Sequence, residues 1–287
     1  MRKTPKRLTR PGTTEAARAF HNQATDLFRL GQRPGELQPI HASAGLNAAY
    51  NKRLRALVVE MHESVLYWVK ARYRAEMGMD ASPSRELRAA VRKLARRWQA
   101  NFERVAPQLA EYFATAASER VDGALQSMLR KAGFTVRFKM SRNQSAAVQA
   151  VVAENVSLIK SIATKYLDDV ENEVMRSVSR GRDLGALTEA LQERFNVTKN
   201  RAALIARQQN NAATAAFTKT RQKELGIRKA RWQHSAGGKQ PRPEHVAFSG
   251  KTYDIEKGAF LEGKWTWPGM EINCRCVSVP IIPGFDE

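Results

Sequence analysis

Leu46-Asn-Ala-Ala-Tyr50-Asn-Lys-Arg-Leu54-Arg-Ala-Leu57-Val58-Val-Glu-Met61-His-Glu-Ser-Val65-Leu-Tyr-Trp68-Val69 repeats large apolar side chains at intervals of three and four. That spacing lines them along one face of a helix, and no glycine or proline interrupts about eight turns of it. Lys52, Arg55, Lys70 and Arg74 fall on the opposite face. A long amphipathic helix is therefore predicted from Leu46 onward, and the chain reads as mainly α around it.

On the N-terminal side, residues 1–45 mix basic residues with Pro11-Gly12, Gly31, Pro34-Gly35, Pro39 and Gly45, and read as a basic flexible arm. On the C-terminal side a second helix is predicted to start at Ser84, whose hydroxyl can cap it, with Glu86 favouring the positive end of the helix dipole. Leu87, Val91, Leu94, Trp98, Phe102 and Val105 carry its core stripe to a kink expected near Pro107. A third stretch with Val121, Leu125, Met128 and Leu129 closes at Gly133. Phe134-Thr-Val-Arg-Phe-Lys139 then alternates apolar and polar residues as a short strand does. Residues 46–139 thus form a predicted basic helical domain ending in a strand.

Residues 140–226 read as a helical segment. Val148, Val152, Val156, Ile159, Ile162, Tyr166, Val170, Val174 and Val178 mark one long helix stopped by Gly181. A short helix with Leu184, Leu187, Leu191 and Phe195 follows, and Thr198 is expected to cap an alanine-rich third helix over 199–225, ended by Gly226. Beyond Gly226 the texture changes: glycines, prolines, tryptophans, both cysteines and two histidines crowd into residues 227–287, predicting a compact β-rich (α+β) module that a metal could stabilise.

Charge says more about partners than about fold. Lys and Arg number 48 against 28 Asp and Glu, a net +20. Residues 1–139 hold 26 of the basic and 12 of the acidic side chains. A field of that sign favours duplex DNA or another polyanion. Arg85, Arg88, Arg92 and Arg96 form a row on the second helix, and Lys52 and Arg55 are exposed candidates on the first. Neighbouring guanidinium groups at this spacing repel unless an anion or an acid lies between them, and the anion is the reading preferred from the sequence. No window holds eighteen uninterrupted apolar residues and the basic N-terminus lacks an apolar signal core, so neither a membrane span nor Sec export is expected. Two cysteines one residue apart cannot build a disulfide framework, which suggests a reducing compartment.

Chemistry concentrates at His234, His245, Cys274 and Cys276. On extended backbone Cys-x-Cys points both sulfurs one way, and two thiolates with two imidazoles suit one structural zinc; small buried thiols are the alternative. Glu244 beside His245 would allow an open site that activates water, giving a metal-dependent nuclease or toxin-like hydrolase on His245, Cys274 and Cys276. None of the common zinc-hydrolase, deaminase, Walker or nucleophile-elbow motifs is present, so catalysis is not expected.

Arg201-Ala-Ala-Leu-Ile-Ala-Arg207, Gly226-Ile227, Trp232, Arg242-Pro-Glu-His245, Gly250 and Pro268-Gly269 through Asn273-Cys-Arg-Cys276 resemble the phage Mu F-like minor head protein family, over roughly 140–282. The resemblance implies a minor capsid or head morphogenesis protein of a tailed bacteriophage. Its implied place is the virion interior near the portal vertex, with the host cytoplasm during assembly. Implied partners are the portal protein, non-specifically bound double-stranded DNA, and scaffold or major capsid protein, in procapsid assembly, DNA packaging or ejection; no membrane is implied. Arg201, Arg207, Trp232, Arg242, Gly250, Asn273 and Arg275 carry over as motif residues, most of them structural. Arg201 and Arg207, six apart, face different ways on one helix. The family's Ala-Arg-Thr-Glu is replaced by Ala206-Arg207-Gln208-Gln209, and its acid between Trp and Arg by Gly237-Gly-Lys-Gln240. The second departure removes one candidate metal ligand and leaves His234 or water as the fourth. A purely scaffold-like protein that ignores DNA is a third reading of the same charge.

Overall fold

The computed structural model describes residues 18–19, 22–23, 37–76, 83–181, 183–236 and 240–282. Four long helices, α1 (Ala44–Glu76), α2 (Pro83–Lys131), α3 (Arg142–Ser179) and α4 (Leu184–Glu224), precede the strands. After them come β1 (Lys229–Gln233), the one-turn helix α5 (Pro243–Ala247), β2 (Thr252–Asp254), β3 (Ala259–Leu261), β4 (Lys264–Thr266) and β5 (Val277–Ile281). The protein is mainly α with a small C-terminal antiparallel strand module. The chain divides into two compact units, 44–113 with 151–207, and 1–43 with 114–150 and 208–287.

The 44–113/151–207 unit is helical throughout its core. Leu46, Tyr50, Leu54, Val58, Met61, Val65, Val69 and Tyr73 form the buried stripe of α1, whereas Trp68, which the sequence placed on the same repeat, stays 45% exposed. Burial of so many aromatic rings leaves polar tips to satisfy, and each finds a partner. Tyr50 stacks on Phe113 and donates to Asn155 at 2.8 Å, His62 Nδ1 meets the Tyr166 hydroxyl at 2.7 Å, and Tyr73 meets Ser177 at 2.7 Å. Glu173 accepts from Arg194 at 2.7 Å and Arg176 at 2.8 Å. Burial pushes its carboxyl upward, but the two guanidinium groups outweigh that and hold it below the usual range.

Three sequence expectations are corrected here. Helix α2 does not end at Pro107 but continues through it as one helix of 49 residues that also takes in the predicted third stretch. Proline removes a single N–H, and both Pro107 and Glu103, whose carbonyl is released, are solvent-exposed positions. Thr198 is no N-cap: α4 runs unbroken through it, and its hydroxyl donates to the Arg194 carbonyl one turn back. The capping motif Thr-x-x-x is also an ordinary interior pattern when nothing N-terminal to it breaks the helix. Phe134–Lys139 is extended, with Phe134 buried, yet belongs to no strand. Its alternation is real, but the partner at Thr135 is the Gln23 side chain, which accepts from the Thr135 N–H and donates to its carbonyl.

At the arm, most of 1–45 lies outside the described residues, but Leu37 and Ile40 are buried and Asn210 donates to the Ser43 carbonyl at 3.0 Å. The last residues of the predicted arm are thus packed. Helix α3 is long and apolar enough to cross a membrane by length and composition alone, a test that a core helix also passes. Its Ile159, Ile162, Tyr166, Leu167, Val170 and Val174 are buried within the protein.

In the other unit, the end of α4 sets the geometry of everything after it. Gly226 takes φ +75, a backbone that a Cβ would strain. This lets Ile227 N–H reach the Gln222 carbonyl and Gly226 N–H the Lys223 carbonyl, the paired bonds of a Schellman ending. The chain then turns into β1, the central strand of a three-stranded antiparallel sheet ordered β2-β1-β5, with Lys229 opposite Asp254 and Ile281. A hairpin of β3 and β4 completes the module.

Arg221 anchors this end of α4. It is 1% exposed and donates to Asp122 of α2 through Nε and Nη2, both at 2.7 Å, and through Nη1 to Glu224 at 2.7 Å and the Lys139 carbonyl at 3.0 Å. Glu224 in turn accepts from Ser141, just before α3. Removing the guanidinium leaves these carboxylates without their counter-ion, so Arg221→Leu should lower stability by about 3–5 kcal/mol, read from urea unfolding. A loss under about 1 kcal/mol would show that the cluster is solvated rather than buried.

Candidate metal centre

The second cysteine reaches the sheet without a strand to guide it. Between β4 and β5 lies a loop whose backbone polar groups must be satisfied individually. Two amide side chains of α4 do this. Gln208 accepts from the Asn273 N–H at 2.7 Å and donates to the Met270 and Glu271 carbonyls at 3.4 and 3.2 Å, while Asn211 donates to the Cys274 carbonyl at 3.1 Å. Asn273 adopts φ +61, a left-handed conformation that asparagine tolerates better than most residues. Arg242 donates to the Ile272 carbonyl at 3.0 Å and pairs with Glu262.

So held, Cys274 and Cys276 face His245 of α5. His245 Nδ1 lies 3.6 Å from Cys274 Sγ and 3.8 Å from Cys276 Sγ, and all three residues are buried. Tetrahedral zinc, with bonds near 2.3 Å to sulfur and 2.0–2.1 Å to nitrogen, places those atoms about 3.6 Å apart. The donor set and spacing therefore fit a metal held by His245, Cys274 and Cys276. A hydrogen bond between the two sulfurs holds the Cys274 thiol below its usual range although burial opposes it, and the same bond, with burial, pushes Cys276 up. His245 Nε2 is buried without a hydrogen-bond partner, whereas a metal-bound imidazole ordinarily donates its second N–H.

The fourth ligand expected from the sequence is not in the cluster. His234 is half-buried and lines a cavity beside it, but its ring nitrogens do not belong to the group of donors within 4.8 Å of one another. Its backbone N–H is taken by Ser249, which fixes where the chain leaves β1. Glu244, the acid considered as a base for bound water, is exposed and accepts from the Glu262 N–H.

The remaining motif residues separate by role. Trp232 is fully buried, edge-on to His245, Phe248 and Tyr253 at 5.0, 5.9 and 6.0 Å, so it walls the cluster. Gly250 takes φ +83 and donates to the Trp232 carbonyl at 2.8 Å, closing the turn back to β2. Arg201 donates to Ser161 at 3.0 Å within the helical unit, and Arg207 and Arg275 are exposed. None of these three is among the metal donors.

The basic row is divided by an acid. Arg88 and Arg92 both pair with Glu171, at 3.6 and 3.0 Å, so for these two it is a protein carboxylate that relieves the repulsion. Lys52, Arg55, Arg85 and Arg96 are exposed and make no ion pair among the described residues. Sequence reasoning missed Gln208 and Asn211, and treated Gln208 only as a departure from the resemblance. The signal available was a polar stripe at 208, 211, 218 and 222 on an alanine-rich helix that otherwise looks bland.

Comparison with known proteins locates this arrangement. The family described as phage Mu protein F like protein matches residues 168–279, narrower than the 140–282 read from the motifs and inclusive of α4, the cluster and all of the sheet but the end of β5. An uncharacterized protein of Haemophilus influenzae is 34% identical over 147 residues, which are 51% of this chain and 32% of the relative's length. The chain thus spans under half of that curated relative. No solved structure matches. If Gln208 holds the cysteine loop, Gln208→Ala should speed amide exchange at 270–274 at least tenfold while leaving α1 unchanged. Uniform protection across both variants would refute that role.

Proposed function

We propose that this chain, whose residues 168–279 match the phage Mu F-like family, is a minor head protein of a tailed bacteriophage, acting in head morphogenesis. The family match over the segment that contains the cluster is the observation that carries the reading. Binding, not catalysis, is the activity proposed: the protein joins the portal, with scaffold or major capsid protein as further contacts, and grips packaged duplex DNA without reading bases. Its place would be the head interior near the portal vertex, after assembly in the host cytoplasm.

Charge supports the DNA contact. The net +20 and the exposed, unpaired Lys52, Arg55, Arg85 and Arg96 supply cations for phosphate neutralisation, while Arg88 and Arg92 are partly spent on Glu171. Affinity for random-sequence duplex should fall about a thousandfold between 50 and 200 mM salt if roughly six phosphates are contacted. Replacing the four unpaired cations with Gln should flatten the salt slope, and replacing Arg88 and Arg92 should flatten it less per residue. A filter-binding titration decides this, and salt-insensitive or sharply sequence-specific binding would contradict it. Incubation with plasmid and divalent metals should shift the DNA without shortening it; shortening would favour the hydrolase reading.

Zinc held by His245, Cys274 and Cys276 is proposed as a structural ion that helps so small a module hold together. Purified protein should carry about one zinc equivalent, and chelation should melt the strand module before the helices. Metal-free protein with an unchanged melting profile would reject it.

A further inference from the structure

The unit that holds the cluster contains a second cavity, of about 300 Å³, between α4, the strands and the segment at Ile40–Ala42. Three residues on one side of α4 give it its chemistry: Thr218, Lys219 and Gln222. Thr218 is 4% exposed and Gln222 is 1% exposed, yet Thr218 Oγ1 and Gln222 Nε2 have no hydrogen-bond partner. Neither vacancy is a generic helix feature. Thr214 and Thr220 on the same helix give their hydroxyls to the carbonyls one turn back, as helical threonines commonly do, and Thr218 does not.

The orientation of the Gln222 amide is set by two other residues of the cavity wall. The Tyr253 hydroxyl donates to Ser278 at 2.7 Å, and Ser278 donates to Gln222 Oε1 at 3.2 Å. With its oxygen so engaged, the amide leaves its nitrogen, a donor only, without an acceptor. Lys219 adds a cation: its ammonium lies 3.2 Å from the Trp267 ring centroid and makes no ion pair among the described residues. Burial, and Lys223 nearby, lower its pKa, with Glu256 opposing them. Among the described residues no Asp or Glu lines the cavity, and His41 and Arg275, both exposed, are the other basic groups on its wall. Ile40, Pro268 and Val277 supply apolar surface.

We propose that this cavity binds a monocarboxylate carrying a short apolar body, its two oxygens taken by Lys219 Nζ, Gln222 Nε2 and Thr218 Oγ1 and its body resting on Ile40, Pro268 and Val277. A carboxylate is acceptor-only, so it satisfies both orphaned groups, and its single charge matches the single half-buried ammonium. A phosphate dianion would need a second buried cation. A small carboxylic acid and the C-terminal carboxylate of a peptide share this chemistry.

Calorimetric titration of the full chain separates them. The probes are isovalerate and N-acetyl-Gly-Gly-Leu, each against its amide, with inorganic phosphate as the competing anion. The expected result is that at least one acid binds at least tenfold more tightly than its amide and than phosphate; the tighter acid identifies the source. Lys219→Met should weaken that acid at least tenfold, as should Gln222→Leu. Should Gln222→Leu fail to fold, the half-exposed Lys219→Met decides alone, with an unchanged thermal melt as its control. Absence of heat with both acids, equal binding of acid and amide, preference for phosphate, or undiminished binding by Lys219→Met overturns the assignment and leaves a water-filled cavity.

Discussion

Backbone groups in a loop that turns inward have no ladder to join, and an unsatisfied buried amide or carbonyl is costly. Gln208 and Asn211 meet that constraint for 270–274, and the geometry of the cysteines follows from it. A side-chain amide offers a donor and an acceptor at once, so one glutamine can serve an N–H and two carbonyls of the same loop. The helix that supplies these amides is itself fixed by Arg221, whose guanidinium ties α4 to Asp122 and to the segment before α3. Rigidity therefore passes from a buried ion cluster, along a helix, to the loop that presents two sulfurs to His245.

Helix α4 serves both the cysteine loop and a cavity. In its middle, the Gln208 and Asn211 amides bond the cysteine loop that forms the thiol–imidazole cluster. Towards the C-terminal end Thr218 and Gln222 keep polar atoms in reserve, next to a cation. Spent and unspent hydrogen-bonding groups on one helix mark where the protein is internally complete and where it is shaped for something else.

Electrostatics divides similarly. Glu173, Asp122 and Glu224 sit among guanidinium groups in the two cores, whereas much of the cationic surplus remains on the surface. Glu171 shows that a row of arginines counted from sequence overstates what is free: two of its four members share one carboxylate brought in from a helix some eighty residues away.

Helical periodicity was legible because it is local: the three-and-four spacing of Tyr50, Leu54, Val58 and Met61 names both the element and its buried side. The Cys-x-Cys pair with His245 was legible too, because sulfur and imidazole are uncommon donors and the Asn273-Cys-Arg-Cys276 motif is specific. What local pattern could not decide was continuity and partnership. Whether Pro107 breaks a helix depends on whether water reaches the Glu103 carbonyl, and whether Thr198 starts one depends on what precedes it in space. His234 and His245 are equally plausible ligands on a line of letters, and only the turn at Gly250 and the short helix α5 bring one of them to the sulfurs. The amides of Gln208 and Asn211 acquire meaning from a loop more than sixty residues away, since a hydrogen bond is made by proximity in the fold, which residue type alone does not encode.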